Sequence, residues 1–137
     1  MKDEFDKILC EKYPKLFQNR HKPMTETAMC WGFECGDGWF DLIDELCESI
    51  QNYIDNNPNT KCPQVVVDQV KEKFGGLRFY YTGGNDKIHG MVWFAESMSY
   101  RICETCGSPG KPRRSGWIRT LCDKHSENKE VINFKEN

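Results

Sequence analysis

Two pairs of metal-binding side chains stand near the C-terminal end of the chain. Cys103 and Cys106 are separated by two residues, Cys122 and His125 by two more, and fifteen residues lie between the pairs. Thiolate sulfur and imidazole nitrogen are ligands that Zn²⁺ prefers, and two such pairs can occupy two sides of a tetrahedral site. The four residues therefore predict one Zn²⁺ site, with Gly107 in the tight turn after the first pair.

The predicted zinc is structural. Four protein ligands fill a tetrahedral coordination sphere and leave no position for water or substrate. The C-terminal segment is too short to build a core of its own, so zinc binding is expected to supply its folding free energy. The second pair follows a predicted strand over residues 116–120. This order predicts a treble-clef or zinc-ribbon-like finger.

Basic residues surround the predicted finger. Between Arg101 and His125 there are six Lys and Arg residues against two acids. Three arginines, Arg113, Arg114 and Arg119, are candidate contacts to a ligand or partner, with Lys111 beside them. Guanidinium groups bind phosphates and carboxylates in the same geometry, so a phosphate-bearing ligand and an acidic protein surface both fit. A merely solvated face is the third interpretation.

A second basic and aromatic pair lies on a predicted strand over residues 77–81. Arg78 and Tyr80 alternate with Leu77, Phe79 and Tyr81, so they share the face opposite those apolar side chains. An aromatic ring beside a guanidinium can stack a base or hold a phosphate. The alternative is a strand buried on both faces.

The remaining cysteines form no second tight pair. Cys30 and Cys35 are separated by four residues, which suits a metal, but Cys47 and Cys62 are isolated. Buried free thiols are the favoured interpretation, and a second metal stays open. Cys10 is expected in the core. The charged N-terminus lacks the apolar stretch of a secretory signal, which favours a reducing cytoplasmic location over a disulfide framework.

Carboxylates are concentrated between residues 34 and 55, where seven acids occur without a Lys or Arg. They could bind Mg²⁺ or act as an acid–base pair, with Asp37 and Asp41 as the first candidates. Their helical spacing favours a solvated face instead. His21 and His89 lie outside any recognisable nucleophile motif, and the phosphate-binding and dinucleotide glycine patterns are absent. The sequence therefore predicts a protein that is not an enzyme.

Hydrophobic periodicity places three helices, over residues 3–13, 39–56 and 86–101. Strand-like stretches cover residues 28–35 and 77–81. Residues 63–74 fit a helix with Val66, Val70 and Phe74 on one stripe, or a Val-rich strand that turns at Gly75 and Gly76. The helix is favoured because the charged residues 71–73 before a glycine suit a helix end. Residues 126–137 predict a short exposed helix or a loose tail.

The overall composition indicates one small α+β protein. With 137 residues, 16.0 kDa and 38% hydrophobic residues, the chain can build one core. We expect a mixed helix and strand domain over residues 1–100, the finger over 101–125 packed on it, and the tail over 126–137. No apolar run approaches the roughly 20 residues of a membrane helix. A net charge of -2 weighs against nucleic acid as the partner.

Five motifs together resemble a family of small bacteriophage and prophage proteins. They cover residues 23–27, 34–39, 70–75, 95–99 and 116–125, which read PMTET, ECGDGW, VKEKFG, AESMS and GWIRTLCDKH. The resemblance brings no catalytic residues. It implies an accessory viral protein in the bacterial host cytoplasm, such as a counter-defence factor that binds a host effector protein or sequesters an anionic nucleotide signal.

These observations favour a non-enzymatic binding protein with one structural zinc, whose partner is a host protein or an anionic small molecule. A zinc-finger regulator that binds nucleic acid is the alternative, and a metal-dependent hydrolase ranks third. A homo-oligomer stays open.

Overall fold

The computed structural model describes residues 1–127 and 130–133. Its described residues contain three α-helices and six β-strands, together with 3-10 turns at Ala28–Trp31 and Asp37–Trp39. In chain order the helices and strands are α1 Asp3–Lys12, β1 Phe33–Glu34, α2 Phe40–Asn56, β2 Val66–Lys73, β3 Gly76–Thr82, α3 Asp86–Ser99, β4 Lys111–Ser115, β5 Trp117–Leu121 and β6 Glu130–Val131. The fold is mixed α+β, which confirms the predicted class.

The larger core lies between the first sheet and the helices. Strands β1, β2 and β3 are neighbours in that order, with β1 parallel and β3 antiparallel to β2. Helix α3 packs on β3 and on α2. The buried stripe of α2 contains Ile43, Leu46 and Ile50, which recur at three- and four-residue steps. Trp39, at the start of α2, is fully buried in the same core.

The preferred helix over residues 63–74 is wrong, because this segment forms strand β2. A β-bulge between Val67 and Gln69 shifts the register of β2 against β3. The bulge places Val67 and Val70 on one buried face although they are three residues apart. The four-residue spacing of Val66, Val70 and Phe74 imitates a helical stripe, but in the structure Val70 is buried and Phe74 is 65% exposed at the turn.

Phe74 and Gly75 connect β2 to β3 through a two-residue turn. Both residues have positive φ angles, 53° and 85°, as a type I′ hairpin turn requires. Lys73 and Gly76 face each other across this turn. The hairpin continues through seven register pairs, so the backbone of β2 finds its partners in β3 rather than in a helix.

The strand predicted over residues 28–35 is shorter than expected. Ala28–Trp31 form a 3-10 turn in which the Thr27 side chain accepts a hydrogen bond from the Met29 amide. Gly32 follows with a φ of 74°, and only Phe33–Glu34 join the sheet. The Thr27 cap and Gly32 therefore delay the start of the strand to Phe33.

A second sheet forms the C-terminal part of the described chain. Strand β4 lies between β5 and β6 and is antiparallel to both. Within the tail predicted over residues 126–137, Glu130–Val131 form strand β6 instead of a helix, while residues 128–129 and 134–137 lie outside the described residues. Among the described residues, no helix has the length and apolar character needed to cross a membrane.

Candidate metal centre

The structure brings together the four residues that the sequence predicts as zinc ligands. One ligand atom from each of Cys103, Cys106, Cys122 and His125 lies within 4.8 Å of all the others. The Sγ atoms of Cys106 and Cys122 are 3.8 Å apart, and Nδ1 of His125 is 3.8 Å from Sγ of Cys103 and 3.2 Å from Sγ of Cys122. A tetrahedral site with metal–sulfur bonds of about 2.3 Å has sulfur–sulfur edges of about 3.8 Å. The group could therefore hold one metal ion.

The first ligand pair lies on a tight backbone knuckle between α3 and β4. The Cys103 amide donates a hydrogen bond to the Ser108 carbonyl at 2.7 Å, and the Gly107 amide donates to the Cys103 carbonyl at 2.9 Å. Gly107 has a φ of 83°, a conformation that favours glycine. These bonds hold Cys103 and Cys106 on the same side of the site.

Hydrogen bonds at the knuckle also favour the thiolate of Cys106. The side chain and then the backbone of Ser108 lower the pKa of the Cys106 thiol to about 6. A thiolate is the form of cysteine that binds metal, so this environment suits a ligand at neutral pH.

The second ligand pair follows strand β5 and is held in place by Arg113. The His125 amide donates to the Cys122 carbonyl at 3.2 Å, which closes the turn between the two ligands. Nε of Arg113 donates to the Leu121 carbonyl at 3.0 Å, and Nη2 forms an ion pair with Asp123 at 2.6 Å. Both contacts flank Cys122 directly.

Arg113, a predicted contact to a ligand or partner, is buried in the structure. The residue is only 6% exposed, because its position on the central strand β4 directs its side chain toward the second ligand turn. Its guanidinium already binds a carbonyl and a carboxylate of this chain. Arg113 therefore stabilises the ligand turn.

The knuckle packs against a glycine turn formed by residues 36–38. The Gly38 amide donates to the Glu104 carbonyl at 2.8 Å, and the Gly36 amide donates to Oε2 of Glu104 at 2.9 Å. A Cβ at Gly38 would lie 2.1 Å from the Cys103 carbonyl oxygen, and one at Gly36 would lie 2.3 Å from the Glu104 carbonyl oxygen. Only glycine at both positions allows the two backbones to approach this closely.

Trp39 adds a third hydrogen bond between the glycine turn and the finger. Its indole Nε1 donates to the Ile102 carbonyl at 2.9 Å, immediately before the first ligand. Because Trp39 is fully buried in the main core, the ligand site is attached directly to that core.

Glu104, which follows the first ligand, lies buried against the glycine turn and strand β5. Burial raises the pKa of its carboxyl group. Among the described residues, its Oε1 atom has no hydrogen-bond partner, and Nε of Arg119 lies 3.7 Å away as an ion pair. Arg119, another predicted contact residue, therefore faces an acid of its own chain. Arg114 is exposed, as expected for a surface contact.

The second predicted pair is only partly available to a ligand. Arg78 and Tyr80 lie opposite the buried Leu77 and Phe79, as the alternation predicts, and Tyr80 is 42% exposed. Nη2 of Arg78, however, donates to the Tyr100 hydroxyl at 3.1 Å. Binding of a base or phosphate by this pair stays a prediction.

The other cysteines do not assemble with the first group. Across residues 1–127 and 130–133, Cys103, Cys106, Cys122 and His125 form the one group of three or more metal-ligating side chains. Burial raises the pKa of Cys35 to about 12, and Cys47 is fully buried with a pKa well above its ordinary value. Both fit the favoured interpretation of buried thiols, whereas Cys30 and Cys62 are only partly buried. Cys10 donates a hydrogen bond to Asp6.

The acidic residues are engaged individually rather than gathered into a site. Asp44 accepts hydrogen bonds from Lys12 and Tyr13, and Asp37 accepts one from the Lys2 amide. Asp41 is exposed on α2. Within the described parts of the chain, these carboxylates belong to no metal-ligating group, which fits the predicted solvated face.

Sequence reasoning missed the role of the glycine turn. The sequence predicts no contact for residues 36–38, which lie between the predicted strand over residues 28–35 and the predicted helix over residues 39–56. Two glycines flanking one residue before a tryptophan are a signal of close backbone approach, but the sequence does not show which segment approaches.

No family model, curated protein or solved structure matches this chain. The site must therefore be interpreted from its own geometry.

Proposed function

We propose that Cys103, Cys106, Cys122 and His125 hold one structural Zn²⁺ and that the chain is a non-enzymatic binding protein. The observation that carries this proposal is the closed set of four ligand atoms within 4.8 Å of one another. Three sulfur ligands and one imidazole suit Zn²⁺, and four protein ligands leave no position for a reactant.

The packing around the site supports a structural role for the ion. Three hydrogen bonds, donated by Gly36, Gly38 and Trp39, join the knuckle of the finger to the main core. The small cluster of buried residues beside the site contains only Cys103, Leu121 and Cys122, two of which are ligands. So little apolar burial cannot stabilise the finger by itself, and the metal supplies what is missing.

Zinc content and stability of matched cysteine variants test this proposal. Native mass spectrometry of protein purified without a histidine tag should find one zinc per chain, and Cys103→Ser should lose it and lower the denaturation midpoint. Cys62→Ser is the control, because Cys62 lies outside the ligand group. The proposal is contradicted if the wild-type protein is as stable without zinc as with it. It is also contradicted if the Cys103→Ser variant keeps its zinc.

We extend the proposal to an accessory protein of a phage whose partner is a host protein or an anionic small molecule. The support is the resemblance carried by the five sequence motifs and the exposure of Lys111 and Arg114 on the finger. Expression in bacteria that carry a defence system should restore plaques of a restricted phage. Cys103→Ser should fail in this assay while Cys62→Ser succeeds. Equal plaque numbers with and without the wild-type protein, across a panel of defence systems, would count against it.

A further inference from the structure

A groove of about 850 Å³ lies where three parts of the chain meet. The turn between β2 and β3 contributes Phe74, the end of α3 leads into Tyr100 and Arg101, and the finger contributes Lys111 and Ile118. This volume lies within the range of small-molecule sites, which are mostly apolar with a few placed polar groups.

The described lining combines apolar walls with positive charge. Phe74, Pro112, Ile118 and Val131 supply apolar surface, and the exposed Arg101 supplies a cation, as does Lys111. None of the described lining residues is acidic. The two nearest acids along β2 and α3, Glu72 and Glu96, accept hydrogen bonds from backbone amides of Gly75 and Phe79. The groove is therefore complementary to an anion that carries an apolar or aromatic body.

Phe74 is an unusual residue for its position. Its φ of 53° lies in the left-handed region, which a bulky side chain rarely adopts, and type I′ turns favour Asn or Gly there. The ring is nevertheless 65% exposed, so it contributes little to the core. Strained residues of this kind cluster at binding sites. The position of the ring at the groove explains why phenylalanine occupies this strained turn.

Three contacts fix the aromatic walls of the groove. The Gly75 carbonyl accepts a hydrogen bond from the Thr120 hydroxyl at 2.6 Å, which attaches the Phe74 turn to the finger. A Cβ at Gly76 would lie 2.3 Å from the Tyr100 ring, so the absence of a side chain there admits this ring. Arg78 donates a hydrogen bond to the Tyr100 hydroxyl at 3.1 Å. The groove is therefore preorganised.

We propose that this groove binds an aromatic anion of about nucleotide size, with its ring against Phe74 and Tyr100 and its negative charge toward Arg101 and Lys111. The inference rests on the proposed function, because the zinc-held finger forms one wall, and it identifies the anionic small molecule as the partner class. Burial of the ring provides apolar contact, and the two cations select for charge.

Two fluorescent probes of similar shape test the proposal on the zinc-loaded protein. 8-Anilinonaphthalene-1-sulfonate carries one negative charge, and N-phenyl-1-naphthylamine is its neutral counterpart. We expect one molar equivalent of the anionic probe to bind saturably and the neutral probe to bind at least about tenfold more weakly. The double variant Arg101→Glu/Lys111→Glu should bind the anionic probe at least about tenfold more weakly than the wild type does. Its affinity for the neutral probe should be nearly unchanged.

The control variant Lys22→Glu/Lys61→Glu makes the same charge change at exposed residues outside the groove. It should bind the anionic probe as the wild type does. Phe74→Asn should weaken both probes and raise the denaturation midpoint, because Asn tolerates the left-handed conformation. If Phe74 had only a structural role, weaker probe binding would not be accompanied by a higher denaturation midpoint.

The proposal is overturned if the zinc-loaded protein shows no saturable site for the anionic probe, or if the two double variants bind it equally. Zinc content is measured on every sample. A sample that lacks zinc identifies a failure of the proposed metal site, whereas loss of probe binding with zinc retained identifies a failure of the groove alone.

Discussion

Replacing Gly38 with alanine tests whether the finger depends on its contact with the glycine turn. The new Cβ would lie 2.1 Å from the Cys103 carbonyl oxygen, 2.6 Å from the Gly107 amide and 2.7 Å from the Cys106 amide. All three atoms belong to backbone, which cannot rotate away as a side chain can. The φ angle of Gly38 lies outside the left-handed region, so the penalty is steric. The knuckle must move away from residues 36–38.

The expected cost follows from the hydrogen bonds that this movement breaks. Two of these hydrogen bonds are neutral and worth about 1 kcal/mol each. They run from the Gly38 amide to the Glu104 carbonyl and from the Trp39 indole to the Ile102 carbonyl. Gly36 to the Glu104 carboxylate is charge-assisted and worth about 2 kcal/mol. Loss of all three bonds removes about 4 kcal/mol, a large part of the 5–15 kcal/mol typical of a small protein.

Urea denaturation at one fixed excess of zinc measures this cost, and any loss of zinc affinity in the variant adds to it. With a denaturant slope of about 2 kcal/mol per molar, Gly38→Ala should lower the midpoint by about 2 M. Gly90→Ala is the matched control, since a Cβ there meets no atom within 4 Å. Removing a glycine from the exposed interior of α3 should stabilise the protein by up to about 1 kcal/mol.

The two glycine variants must differ for the reasoning to hold. If the free energies of unfolding of Gly38→Ala and Gly90→Ala differ by less than about 1 kcal/mol, the close approach of the knuckle to residues 36–38 is refuted. Chelator competition on both variants gives a second readout. We expect faster zinc removal from Gly38→Ala alone, because the released knuckle no longer fixes Cys103 and Cys106.

Two further predictions concern charged side chains. Arg113→Ala removes the buried hydrogen bond to the Leu121 carbonyl and should cost about 2 kcal/mol in urea denaturation, whereas the exposed Arg114→Ala should change stability by less than about 0.5 kcal/mol; equal effects would contradict the role of Arg113 in the ligand turn. Burial raises the pKa of Asp6, but hydrogen bonds from Arg20 and Cys10 and the Arg20 charge outweigh it, so the net pKa is lowered. Stability from this pair is therefore present above the unfolded pKa of about 3.9 and is lost as the pH falls through the lowered value. Asp6→Asn should cost about 2 kcal/mol at about pH 7 and much less at about pH 3; a deficit of the same size at both, in urea melts of the two proteins side by side, would contradict this account.

Several features of the fold were predictable because they depend on local spacing. The apolar period of α2 follows from helix geometry, and its buried residues are those at three- and four-residue steps. The ligand set was predictable for the same reason, since a two-residue separation is what a backbone knuckle needs to direct two ligands to one metal. The alternation from Leu77 to Tyr81 likewise located β3 correctly.

The prediction failed where a single inserted residue changed the pattern. In β2, the bulge after Val67 converts a two-residue alternation into a three-residue step between buried valines. The bulge hides the alternation of the strand, and the four-residue spacing of Val66, Val70 and Phe74 then imitates a helical stripe. The hairpin turn at Phe74 added to the error, because phenylalanine is not a residue that a type I′ turn favours.

The sequence by itself determined which four residues could hold a metal and which faces of the helices are apolar, because both depend on residues a few positions apart. Only the tertiary structure decided what those residues contact. It directed Arg113 inward to the ligand turn, paired Arg119 with Glu104, and placed the glycines of residues 36–38 against a knuckle more than sixty positions later. Such contacts arise when separate segments bury surface together, and local spacing carries no information about which segments meet.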